Sequence, residues 1–185
     1  GVAMGLFVNQ GQTCAAGSRI LVHRSLLPQV EQALAAAAES VRLGGAQVEG
    51  AQMGALISAR HRERVQACID TAISQGARRL SGVGGELPAE GFFLRPTVFT
   101  DVTPGMQLAQ EEVFGPVGAI IPFDTEAEAI AIANGTEYGL AAGIWTRDGD
   151  RQARIARAMR CGQVYINAYG AGGGWTVYPP FSTSG

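Results

Sequence analysis

Apolar positions recur along this chain in two rhythms. Between Ser58 and Gly76, in "SARHRERVQACIDTAISQG", Val65, Cys68, Ile69, Ala72 and Ile73 fall at i, i+3, i+4, i+7 and i+8. That spacing draws one stripe down an α-helix, and Gly76 stands where such a helix stops. "SLLPQVEQALAAAAESV" is a second helix, alanine-rich, with Pro28 tolerated in its first turn. "TEAEAIAIAN" is a third, opened by the capping-box pair Thr125 and Glu128. "DGDRQARIARAMRCG" is a fourth, with Ile155, Ala156 and Met159 on one side and arginines on the other. "GVAMGLFVN" reads as the tail of a helix already under way.

The other rhythm is the short apolar run. "RILVH", "LRPTVF", "VGAIIPF", "GLAAGIWT" and "QVYIN" read as strands, and Pro96 favours an edge position for the second of them. "ARRLSGVGGELPAEGFF" reads as a short edge strand and a glycine-rich loop. In the second half strand and helix alternate, which implies parallel pairing with right-handed crossovers. The expectation is one α/β domain of three layers with a mainly parallel sheet, over residues 1–174. An irregular tail without periodicity, 175–185, follows it.

Composition narrows the picture. The 185 residues are enough for one good core, and 46% hydrophobic against 16% charged is a globular balance. A formal charge of -2 gives no electrostatic reason to expect nucleic acid or an acidic membrane surface as partner. No apolar stretch approaches the roughly 18 residues of a membrane span, and no basic n-region opens the chain. Cys14, Cys68 and Cys161 are odd in number and contain no C-x-x-C, so neither a disulfide scaffold nor a zinc site is expected. Reduced thiols in a cytoplasmic protein are the simpler reading.

Cys68 lies on an apolar stripe and Cys161 at a helix end, so both read as small buried hydrophobes. Cys14 is different. In "FVNQGQTCAAGSR" its neighbours are polar or small and no apolar periodicity passes through it, as in loops that carry function. Spacer and nucleophile both remain open on these residues. A nucleophilic thiolate needs a basic neighbour. The chain's two histidines, His23 and His61, are not tied to Cys14 by the sequence.

Four stretches together carry a resemblance. "FVNQGQTCAAGSR" is similar to the cysteine motif F-x-N-x-G-Q-x-C of the aldehyde dehydrogenase superfamily. "LRPTVFTDVTPGMQLAQEEVFGPVGAIIPFD" resembles its second signature, centred on "EEVFGPV". "ANGTEYGLAAGIWTRD" and "RCGQVYINAYG" match its N-x-x-x-Y-G-L-A-A and G-x-V-x-x-N patterns. All four occur in the family's order.

The resemblance implies oxidation of an aldehyde to a carboxylic acid with NAD or NADP. Cys14 would be the nucleophile, passing through a thiohemiacetal and a thioester that water hydrolyses with the help of a base. The oxyanion would sit on the Cys14 backbone N–H and on an asparagine amide from elsewhere. Glu112 matches the glutamate that holds the nicotinamide ribose hydroxyls, and Phe114 the aromatic that borders the nicotinamide. His61 and Arg64 lie near where the family reaches the adenosine ribose. Asn167 matches an asparagine expected to be a structural link, and Gly139 a turn position.

Two departures qualify these expectations. Only 13 residues precede Cys14, so the family's dinucleotide-binding fold, oxyanion asparagine and general-base glutamate have no counterpart. "GVGGE" is read as a loop, not a dinucleotide site. After "GAGGG" the chain continues "WTVYPPFSTSG", where the family has a stretch like "ELPFGGxKxSG" and later a strand that links subunits. Homo-oligomerisation is therefore open. The expectation is a catalytic-domain fragment that does not turn over alone. The alternatives are a folded remnant that only binds or assembles, and an acylating, CoA-dependent dehydrogenase.

Overall fold

The apolar run at 117–123 becomes the hub of the fold. In this computed structural model, which describes residues 1–169, it forms β4 (Val117–Phe123). β4 pairs in parallel with β1 (Arg19–His23) on one side and β3 (Thr97–Thr100) on the other. The short β2 (Arg78–Arg79) closes that flank antiparallel to β3, giving the order β1-β4-β3-β2. Side chains alternate across β4. Val117, Ala119 and Ile121 face α3 (Ala59–Ser74) and α4 (Gln107–Gln110). Ile120 faces α1 (Val2–Phe7) and α2 (Leu27–Glu39). Phe99 and Val98 divide between the two faces in the same way. The layers are helix, sheet, helix, as the strand period of two requires.

The long helix follows its stripe closely. Val65, Ile69 and Ala72 are fully buried on the sheet. Each such burial is worth about 1 to 3 kcal/mol depending on side-chain size. Ile73 departs from the stripe and is 47% exposed. Eight residues beyond Val65 the helix has turned about 80° away from it. Gly76, at φ 95°, ends the helix in a Schellman arrangement: its N–H donates to Ile73 O and that of Ala77 to Ala72 O, both at 3.0 Å.

Pro96 leads the sequence to an edge, and here the structure differs: β3 lies between β4 and β2. The strand starts one residue after the proline, so no ladder donor is missing. Thr97 N–H donates to Pro116 O at 2.8 Å, and the Pro96 carbonyl accepts from Ser81 Oγ at 3.2 Å.

The second half builds its own parallel pair. β5 (Ala141–Ile144) and β6 (Gln163–Ile166) are joined through α6 (Gly149–Ala158) and bond only to each other among the described residues. The mainly parallel α/β pattern holds, distributed over two sheets. A cavity of about 930 Å³ separates β1 from β5. α5 (Glu126–Ala133) is capped by Thr125, whose Oγ accepts from Glu128 N–H at 3.2 Å. The Glu128 carboxylate reaches back to Asp124 N–H, one residue before the cap, so the capping box is extended by one position. The arginines of α6 are exposed, while Ile155 and Met159 line the cavity. Among the described residues no helix is long and apolar enough to cross a membrane. The irregular tail lies outside the described residues.

Candidate active site

Three residues in succession set the shape of the cysteine segment. Asn9, Gln10 and Gly11 have φ of 52°, 58° and 66°, a left-handed turn directly after α1. Asparagine and glycine tolerate this region best, and the turn is braced: Asn9 Nδ2 donates to Gln12 O at 2.8 Å. Gln12 in turn accepts Ile57 N–H on Oε1 at 3.0 Å. A second turn follows from Thr13 to Ala16, closed by Ala16 N–H to Thr13 O at 2.9 Å, and it carries Cys14 with an exposed side chain. Gly17 N–H then ties the segment back to Gly5 O in α1 at 3.0 Å. Ser18 leads into β1.

The segment "EEVFGPV" forms the turn between α4 and β4. Phe114 also takes a left-handed backbone, at φ 56°. Glu112 is half-buried, and its N–H donates to the Tyr138 hydroxyl at 3.3 Å. Among the described residues its carboxylate accepts no hydrogen bond. Burial pushes the Glu112 carboxyl above its ordinary range, and the charge of Arg64 pulls it back in part. Gly115 brings this turn onto the cysteine segment: a Cβ added to Gly11 would collide with Gly115 O. The two backbones are in direct contact. Cys14 and Glu112 also border the same cavity.

His61 and Arg64 come from the first turns of α3. His61 Nε2 lies 2.7 Å from Phe114 O, and Arg64 donates to Val113 O at 2.8 Å. His23 is elsewhere. Its Nδ1 accepts from Ser25 N–H at 3.3 Å, and its ring meets Phe123 edge-on. Among the described residues no hydrogen bond joins either histidine to Cys14. Asn167 bridges the ends of β5 and β6, accepting Thr146 N–H and donating to Thr146 O, both at 3.0 Å. That is the structural link expected of it. Cys68 and Cys161 are half-buried, and burial raises both thiols. Cys161 sits in the turn before β6, its Sγ 3.2 Å from Gln163 O.

A sequence profile of the Aldehyde dehydrogenase family matches residues 1–181. The chain belongs to the aldehyde dehydrogenase family. It is 44% identical over 168 residues to 5-carboxymethyl-2-hydroxymuconate semialdehyde dehydrogenase of Escherichia coli, covering 88% of this chain and 36% of that protein. It is 39% identical over 171 residues to betaine aldehyde dehydrogenase 1 of Rhizobium meliloti, covering 91% and 35%. Among solved structures, the NAD+ complex of an aldehyde dehydrogenase from Bacillus cereus superposes with a TM-score of 0.94 at 38% identity. That match covers 100% of this chain and 37% of the other. The chain thus spans little more than a third of the length of these dehydrogenases.

Two contacts of the site escape the sequence. The approach of Gly11 to Gly115 joins positions far apart in the chain. The Tyr138 brace on Glu112 depends on where α5 ends. The left-handed turn had a local signal in "NQG", since asparagine before a nearby glycine favours positive φ.

Proposed function

We propose that this chain is the catalytic portion of an NAD(P)-dependent aldehyde dehydrogenase, with Cys14 as the nucleophile and Glu112 and Phe114 at the dinucleotide. The observation that carries the reading is the backbone contact of Gly11 with Gly115, which fixes the cysteine segment against the Glu112 turn. A half-buried carboxylate to which no described residue donates a hydrogen bond suits two ribose hydroxyls. The exposed Cys14 thiol adds, as thiolate, to an aldehyde carbon and forms a C–S bond. The Cys14 backbone N–H supports the oxyanion that results. A dinucleotide held by Glu112 and Phe114 would supply the acceptor for the hydride that leaves this carbon. The acyl group stays on Cys14 as a thioester until water releases the acid. His61 and Arg64 border the same turn on the side of α3.

The test is a full-length chimera in which this chain replaces the matching third of the Escherichia coli relative. Reduced dinucleotide is followed by absorbance over a panel of aldehydes. Cys14→Ser is expected to lower turnover by at least about a thousandfold, as loss of a covalent nucleophile does. The 185-residue chain alone is expected to form none. Turnover retained by Cys14→Ser would overturn the reading.

A further inference from the structure

We propose that His61 and Arg64 are positioning residues: from one face of α3 they hold the left-handed turn that presents Glu112 and Phe114. This rests on the dinucleotide reading of that turn and assigns the two side chains a role within the protein. They stand three residues apart, so they share a helix face. They reach the carbonyls of consecutive residues, Val113 and Phe114, at 2.8 and 2.7 Å. A carbonyl only accepts, so the Nε2 of His61 carries the proton and donates. That nitrogen is therefore occupied by Phe114 and has no N–H left for a ribose.

The turn needs such a brace. A non-glycine residue at φ 56° is strained and persists only where its surroundings hold it. The His61 ring meets the Phe114 ring edge-on at 6.2 Å, so the helix touches the backbone and the side chain of the same residue. Gly115 is clasped from both sides. A Cβ there would lie 2.8 Å from Val65 Cγ1 of α3, and on the opposite side Gly11 already meets its carbonyl. Ser58 fixes the origin of this brace, because its Oγ accepts the N–H of His61 itself at 3.1 Å. Arg64 also lends positive charge to Glu112, opposing the effect of burial on that carboxyl. Helix α3, the Glu112 turn and the cysteine segment thus pack directly on one another at Gly115.

Hydrogen exchange by mass spectrometry on this chain, with no dinucleotide present, tests the proposal. The amides read are Glu112, bonded to Tyr138, and Val117, bonded to Gly115. His61→Ala and Arg64→Ala are expected to speed them at least about fivefold, with β3 unchanged, a change within the reach of one lost hydrogen bond. His61→Gln, whose amide still donates, is expected to stay within about twofold of the parent. In the chimera, His61→Ala is expected to raise KM for NAD+ about tenfold with kcat nearly unchanged, and His61→Gln to restore it. Unchanged exchange in both alanine variants overturns the proposal, as does a rise spread evenly through β3. Glu112→Gln in the chimera separates the two readings. If it leaves KM for NAD+ unmoved, the dinucleotide reading fails, while the exchange data still decide whether α3 holds the turn.

Discussion

Gly11 meets Gly115 backbone to backbone, and that contact decides what the position tolerates. Its φ of 66° already disfavours any side chain, and a Cβ would collide with a carbonyl oxygen that cannot move away. Gly11→Ala is expected to cost about 2 to 4 kcal/mol, read as a lowered urea midpoint. Glu112 gives the site a pH dependence. Burial raises its folded-state value above the ordinary 4.5, so the native state holds its proton to higher pH than the unfolded chain does. The stability this contributes is fully present below pH 4.5 and is lost as pH rises through the folded value. Glu112→Gln is expected to flatten that decline, as urea midpoints taken between about pH 4 and pH 7 would record. On the proposed dinucleotide reading, binding of ribose hydroxyls would have the opposite trend, because the ionised carboxylate is the acceptor.

At the scale of elements, α3 carries both packing and site. Its buried stripe of Val65, Ile69 and Ala72 rests on the sheet, and its first turns reach the Glu112 turn. Ser58 caps its N-terminus. Ser58→Ala is expected to lower stability by about 1 kcal/mol, seen as a drop in Tm, and to fray the turn that bears His61. This helix was legible from its period alone, because one face is buried on a continuous apolar surface. α6 was legible too, although none of its residues is fully buried, because its three-arginine edge stays in water. β3 was placed wrongly, as an edge. Pro96 removes a donor only at its own position, and the ladder begins at Thr97.

At the scale of the whole molecule, the two sheets are unequal. The β1-β4-β3 ladder is packed on both faces, whereas β5 is backed by α6 and lines the 930 Å³ cavity, and β6 pairs only with β5 among the described residues. Local stability follows the density of buried apolar contact. Amides of β5 and β6 are expected to exchange at least about tenfold faster than those of β4, measured by hydrogen exchange on the unmodified chain. Asn167 and Asn134 limit that opening. Asn167 ties the strand ends together, and Asn134 joins the end of α5 to Ala158 and Arg160 at 2.8 and 2.9 Å.

The sequence by itself determined the longer helices, the strand runs, their mainly parallel sense and the motifs that point to an aldehyde dehydrogenase; the single turn of α4 and the antiparallel pairing of β2 were not in it. Each feature it determined is written in local period or in a contiguous run of residue types. Cys68 and Cys161, read from local context as small buried hydrophobes, are both half-buried. Tertiary structure alone decided that β3 is interior, that the strands divide into two sheets, and that Gly11 lies on Gly115. It also turned His61 and Arg64 toward the carbonyls of Phe114 and Val113. These depend on which distant surfaces meet, and a close backbone approach leaves only a glycine behind as its local trace.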